Sequence, residues 1–232
     1  MMMESIRRPL LTAVFLLAGI LSACADEGFM PVWQVGSSWA VEASRLRQDP
    51  QGTAWTSPVR WLFEVKNEKE IDGVACFVVH VSSAAKHSAG MQAILCLSKQ
   101  DLRPVRVVDV TPVGGKPQAH ERMFDGGRIS PLFSGESAIP YDLPMFPLAE
   151  ASDDDARERD AAVAGEAATE VDGITFVDAT TQSWAKTEQG YRVTLDSGDS
   201  RGKLVQEWVA GEPWARSMTG RDVKYTLVTV GK

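Results

Sequence analysis

Residues 59 to 66 read Val-Arg-Trp-Leu-Phe-Glu-Val-Lys, with Val59, Trp61, Phe63 and Val65 on one side of a two-residue repeat and Arg60, Leu62, Glu64 and Lys66 on the other. Side chains repeat every two residues in a strand and every 3.6 in a helix, so this run presents a uniform apolar face only as a β-strand. The same alternation sets Trp39, Val41 and Ala43 against Ala40, Glu42 and Ser44. Residues 48–58 read as a loop, and 67–73 as a charged turn ending in Asp72-Gly73, a hairpin signal between β-like runs. Strands follow at 74–82, 91–98 and 105–110, then at 174–179, 182–186, 191–196, 204–209, 215–218 and 223–230.

Two stretches depart from this texture. Between 111 and 147 glycine and proline are frequent, and 130–147 carries Pro131, Pro140, Pro144 and Pro147 among Phe133, Tyr141, Met145 and Phe146. A loop this apolar is expected to pack against the sheet. Residues 149–170 lack aromatics and are rich in alanine and acid. Ser152 reads as a helix cap with Asp153, Asp154 and Asp155 at the positive end of the helix dipole, and a disordered connector is the competing reading. The expected fold class is therefore mainly β: an antiparallel sheet, as a curved half-barrel or a sandwich, with one short helix or disordered connector.

At the amino end Arg7 and Arg8 precede an apolar run, 10–21, that is too short for the roughly 20 residues a spanning helix needs. It ends in Leu21-Ser22-Ala23-Cys24, which resembles the lipobox of bacterial lipoproteins. The resemblance covers about the first 24 residues. It implies diacylglycerol on the Cys24 thiol, cleavage before Cys24 and an acylated new amino terminus. Each buried methylene contributes about 0.8 kcal/mol, so two or three chains on one residue anchor firmly. The resulting organisation is a signal peptide at 1–23, a lipidated tether at 24–31 and a single β-rich domain at 32–232. Ala25, where the best-known sorting scheme places an inner-membrane-retaining aspartate, favours the periplasmic face of the outer membrane.

The full chain carries a net charge of -7, and the expected signal segment, with Arg7, Arg8 and Glu4, carries net +1, which leaves the mature chain at -8. Such a chain lacks the clustered cations that nucleic acid demands, and membrane contact is expected through the lipid on Cys24. With Cys24 spent on lipid, Cys76 and Cys96 remain as an even pair in an oxidising compartment, read as a disulfide. Folding back symmetrically about Lys86 sets Cys76 opposite Cys96, Val78 opposite Ile94 and His80 opposite Gln92. Phe77, Val79, Val81, Met91, Ala93, Leu95 and Leu97 then share the other face. Closing the 19-residue loop would contribute about 3 kcal/mol.

No catalytic, metal or cofactor signature stands out. His80, His87 and His120 fall in no metal-ligand spacing, and Asp153–Asp155 lacks the spaced oxygens of a calcium loop. Ser83-Ala84-Ala85-Lys86 matches S-x-x-K but lies in an expected hairpin loop, and Gly135-Glu136-Ser137 fails the nucleophile elbow. The seven tryptophans read first as core, and second as an apolar or carbohydrate-binding surface. In texture rather than in motif, the β-rich body with its apolar loop is similar to the LolA/LolB type of half-barrel, which implies a concave apolar face for acyl chains. Function is accordingly expected to be that of a membrane-anchored, non-catalytic envelope lipoprotein that binds or assembles with another envelope protein. The alternative is a periplasmic carrier of a lipid or other apolar ligand.

Overall fold

Period-two alternation makes strands that each have one apolar face, and the computed structural model lays them side by side in a single antiparallel sheet. The structure describes residues 28–50, 52–85, 90–124, 132, 139–149, 165–171, 174–196 and 202–228. Its strands are β1 (Ser38–Asp49), β2 (Gly52–Trp55), β3 (Val59–Ile71), β4 (Val74–Ser83), β5 (Gln92–Ser98), β6 (Pro104–Val113), β7 (Lys116–Met123), β8 (Gly165–Val171), β9 (Ile174–Lys186), β10 (Gly190–Asp196), β11 (Lys203–Val209), β12 (Ser217–Thr219) and β13 (Val223–Val228).

The order across the sheet is β7-β6-β5-β4-β3-β1-β13-β12-β11-β10-β9-β8, with β2 pairing the far half of β1. The first and last strands therefore meet in the middle, and each wing is a meander. Strands β7 and β8 form the two edges, so the sheet is open, and the chain between them crosses from one wing to the other.

Two of the hairpins show how local chemistry sets this order. Asp72 and Gly73 have φ of 49° and 80°, and Gly114 and Gly115 have φ of 58° and 77°. Both pairs close two-residue loops, and consecutive left-handed residues are what a type I′ hairpin turn requires.

The inner face carries Trp39, Val41 and Ala43 of β1, Trp61, Phe63 and Val65 of β3, and Val193, Leu195, Leu204, Trp208, Met218 and Tyr225 of the other wing. These side chains join one buried cluster, so the two wings close over a common core. The outer face is largely polar, with cross-strand ion pairs such as Arg60–Glu42 at 2.7 Å and Arg192–Glu207 at 2.6 Å. Pairs this exposed add at most about 1 kcal/mol each and chiefly keep that face in water.

Several sequence expectations are corrected. Residues 67–71 belong to β3 rather than to a turn: the strand runs on to Ile71, past a bulge between Val65 and Asn67. The expected loop 48–58 contains β2, and the glycine-rich 111–123 continues β6 and forms β7. Strand β7 is exposed on both faces, so it has no apolar alternation to read; pairing with β6 makes it a strand. Of the expected helix or connector at 149–170, Gly165–Val171 is strand β8 and pairs β9; Ser152 and Asp153–Asp155 lie outside the described residues.

The β4–β5 register also differs. Cys76 stands opposite Ser98, Val78 opposite Cys96 and His80 opposite Ile94, two residues away from the symmetric expectation. A two-residue slip leaves every side chain on its own face, so the inner face of Phe77, Val79, Val81, Ala93, Leu95 and Leu97 is as expected while the partners change. Both thiols are free.

Candidate functional site

The inner face is covered by the chain itself. Residues 139–149, here called the strap, bring Ile139, Tyr141, Leu143, Phe146 and Leu148 into the core, as expected for the apolar, proline-rich loop. Its two β-bridges go to other crossing segments, Leu143 to Leu132 and Leu148 to Phe29. The second holds the amino-terminal end of the fold: Phe29 N–H donates to the Leu148 carbonyl at 2.6 Å and receives the reverse bond at 2.9 Å. Phe29, near the end of the expected 24–31 tether, stacks on Tyr191 and contacts Phe146 and Trp208.

Connections from the strap to the sheet run through side chains. The Tyr141 hydroxyl donates to the Asp109 carboxylate of β6 at 2.8 Å, and the Arg122 guanidinium of β7 donates to both that hydroxyl (2.5 Å) and Asp109 (3.2 Å). On the other wing Gln206 of β11 donates to the Asp142 carbonyl at 3.0 Å while its own oxygen accepts from Trp208 Nε1 at 2.8 Å. Gln182 of β9 grips the Met145 backbone at both ends, accepting from its N–H at 2.7 Å and donating to its carbonyl at 3.0 Å. Trp184 Nε1 donates to the Ala149 carbonyl at 2.9 Å. A buried backbone must have its polar groups paired, and here polar side chains at inward positions supply what a neighbouring strand would.

Burial dominates the electrostatics of these groups. It pushes the Tyr141 phenol far above the ordinary tyrosine value; the Arg122 charge opposes the shift, and the Asp109 charge and hydrogen bond add to it. Tyr225, at the floor of the same face, is raised by burial and by the nearby Asp142, with a smaller opposing effect from its bond with Gln206. Both phenols are therefore neutral hydrogen-bonding groups at physiological pH, which suits anchors rather than acid–base catalysts.

Beside the strap lies a stack of indoles. Trp33 is sandwiched against Trp39 at 5.3 Å and Trp214 at 6.0 Å, and Trp214 also contacts Phe63 and Trp208. Trp33 Nε1 donates to the Pro213 carbonyl at 2.8 Å, whereas Trp39 Nε1 and Trp214 Nε1 are buried without a hydrogen-bond partner. Five of the seven tryptophans are core, Trp184 is half-buried, and Trp55 is exposed, under the Lys224 ammonium at 4.4 Å. The core reading of the tryptophans therefore accounts for most of them, and a flat exposed indole surface is not formed.

The sequence-derived site residues scatter. Cys24 lies outside the described residues, as do His87, Lys86, Gly135, Glu136 and Ser137. Cys76 and Cys96 are buried on the outer face, away from the strap. His80 bonds Gln92 at 2.9 Å, and His120 is exposed on β7. Among the described residues no cluster of three or more His, Cys, Asp or Glu side chains is placed to hold a metal ion, and no helix is long and apolar enough to cross a membrane.

Of the latch residues, Tyr141 was read from sequence only as part of the packing loop, and Asp109, Arg122, Gln182 and Gln206 were not singled out. One signal was present: Gln182 and Gln206 occupy inward positions beside Trp184 and between Leu204 and Trp208, where the alternation calls for apolar residues. The fold and site thus define an open antiparallel sheet whose apolar face is closed by its own strap. No family model, curated protein or solved structure matches the chain.

Proposed function

We propose that this chain is a lipoprotein of the bacterial cell envelope, tethered through lipid on Cys24 at the periplasmic face of the outer membrane, whose β body is a non-catalytic binding or assembly module. The observation that carries the reading is the short spacing between the lipobox cysteine and the Phe29–Leu148 bridge. Five residues reach at most about 18 Å, so a lipid on Cys24 would hold the strap side of the sheet near the bilayer surface. Neutral, anchored phenols and polar groups committed to holding backbone support a binding role over a chemical one.

A second reading, a carrier of lipid or another apolar ligand, is favoured by the strap itself. It fills an apolar face through side-chain latches instead of a continuous ladder, so a ligand that displaced Phe146 and Leu148 would meet an aromatic surface.

Labelled palmitate fed to cells making wild type and Cys24→Ala protein tests the anchor. Label on the wild type alone, with the variant released into the soluble periplasm, is the expected result; an unlabelled wild type or cytosolic protein rejects the reading. Native mass spectrometry of protein taken from its own membrane then separates the two roles, since a co-purifying protein marks the assembly module and an added lipid, beyond that on Cys24, marks the carrier.

A further inference from the structure

Cys76 on β4 and Cys96 on β5 lie on the outer face of the sheet, fully or almost fully buried. They pack with Val105, and Ile71, Val74, Val78 and Ile94 close over them, in a small apolar island separate from the main core. The island takes no part in holding the strap. In the ladder Cys76 faces Ser98 and Cys96 faces Val78, so the two thiols are diagonal neighbours on one face. Diagonal positions on adjacent strands stand up to about 7–8 Å apart, and a disulfide needs its Cβ atoms about 3.8 Å apart. The regular ladder is thus the relaxed form of the dithiol, and a bridge would have to pull the two strands along each other.

Cationic side chains stand next to both thiols. Lys69 pairs with Cys76 from β3, and Arg106 pairs with Cys96 from β6. Two open hollows flank the island: one of about 440 Å³ lined by Ala75, Ser98, Lys99 and Arg103, and one of about 390 Å³ lined by Lys69, Arg106 and Glu121. Burial raises both thiols above their ordinary value; at Cys76 the neighbouring Cys96 adds to the shift and Arg103 opposes it, and at Cys96 Arg106 and Lys69 oppose it while Glu121 adds to it. Burial thus holds the pair as protonated thiols, while Lys69, Arg103 and Arg106 are the neighbouring charges that favour thiolate.

We propose that Cys76 and Cys96 are a reversible dithiol–disulfide pair, a clasp between β4 and β5 whose partner is an organic disulfide. The thiolate of one cysteine attacks a sulfur of that disulfide, forming a mixed disulfide and releasing one thiol. The second cysteine, giving its proton to solvent, attacks the protein sulfur of the mixed disulfide and expels the second thiol. The two cysteines lose two electrons and two protons, and the reagent's two sulfurs gain them. Because closing the clasp strains the ladder, the bond formed is a labile one, open to regulation, rather than a permanent staple.

The test uses the full chain, purified and equilibrated in glutathione buffers from fully reduced to fully oxidised, then quenched with acid, alkylated and read by peptide mass spectrometry. The expected result is a bridge joining the Cys76 and Cys96 peptides that reaches half occupancy within the glutathione range and disappears when the same sample is returned to reduced glutathione. Full alkylation of both cysteines at the most oxidising ratio overturns the proposal, as does accumulation of glutathione adducts without a bridge. A bridge that stays closed in reduced glutathione overturns it too, since that describes a static staple. The readout is on the wild-type chain in solution, so it stands or falls independently of the lipid anchor on Cys24.

Discussion

Tyr141 and Asp109, 32 positions apart in the chain, meet at 2.8 Å where the strap crosses β6, with the phenol donating to the carboxylate and Arg122 bonding both. Tyr141 is fully buried, so this contact ties the strap to the β6–β7 wing out of reach of water.

Replacing Tyr141 by Phe keeps the ring in the core and removes the donor from a largely buried carboxylate. Hydrogen bonds to charged groups contribute about 1.5–3 kcal/mol, and Arg122 remains to hold Asp109, so a loss of about 1–2 kcal/mol is expected. Urea unfolding monitored by circular dichroism measures it. A change within about 0.5 kcal/mol, the range of an ordinary surface substitution, would show that the latch carries no weight.

Gln182 supplies two bonds to one strap residue, so Gln182→Ala leaves both the N–H and the carbonyl of Met145 without those partners. Each buried unpaired group costs about 1–3 kcal/mol, which a strap with no ladder on that side can relieve by lifting away. The expected signature is local: faster hydrogen exchange across 141–149 and increased binding of an apolar dye, with β3–β5 unchanged. Uniformly faster exchange over the whole sheet would instead mean a global loss of stability.

Trp208 and Trp214 are both buried and in contact, yet only Trp208 has a partner for its indole N–H. Trp208→Phe strands the oxygen of Gln206, which is itself completely buried, whereas Trp214→Phe removes a donor that had no acceptor. Both changes vacate similar volume, so Trp208→Phe is expected to cost about 1–2 kcal/mol more. Parallel thermal and urea melts compare them, and equal losses would contradict the assigned hydrogen bond.

Alkaline unfolding follows from the same burial. Tyr141 and Tyr225 have folded values above the ordinary 10.0, so the folded state keeps phenolic protons that the unfolded state gives up. Their contribution is fully present below pH 10 and is lost as pH rises towards the folded values; the free thiols of Cys76 and Cys96 add the same sign from pH 9 upward. Tyrosinate absorbance from these two residues should therefore appear together with loss of the sheet's circular dichroism. Ionisation of all three tyrosines well before the sheet melts would show that the phenols are open to solvent.

By itself the sequence determined which segments are strands and which way they face wherever one face is buried. Val59–Lys66 and the β4–β5 pair are cases in point, because a period of two has a single structural meaning when half the positions must leave water. It also marked 130–147 as a loop expected to pack, since so much apolar surface has nowhere else to go, and the described stretch 139–147 does so.

Only the tertiary structure decided what depends on partners distant in the chain. Alternation is unchanged by a slip of two residues, so the offset of Cys76 from Cys96 is set by pairing along the whole β3–β6 ladder. Strand β7 exists because β6 offers it an edge, and no apolar pattern announces it. Asp109, Arg122, Gln182 and Gln206 became a latch when the strap laid its backbone at Asp142 and Met145 and the Tyr141 hydroxyl against them. Hydrogen-bond partners separated by 19 to 64 positions leave no periodic trace, and the cost of burying an unpaired polar group is what selects them once the chain has folded.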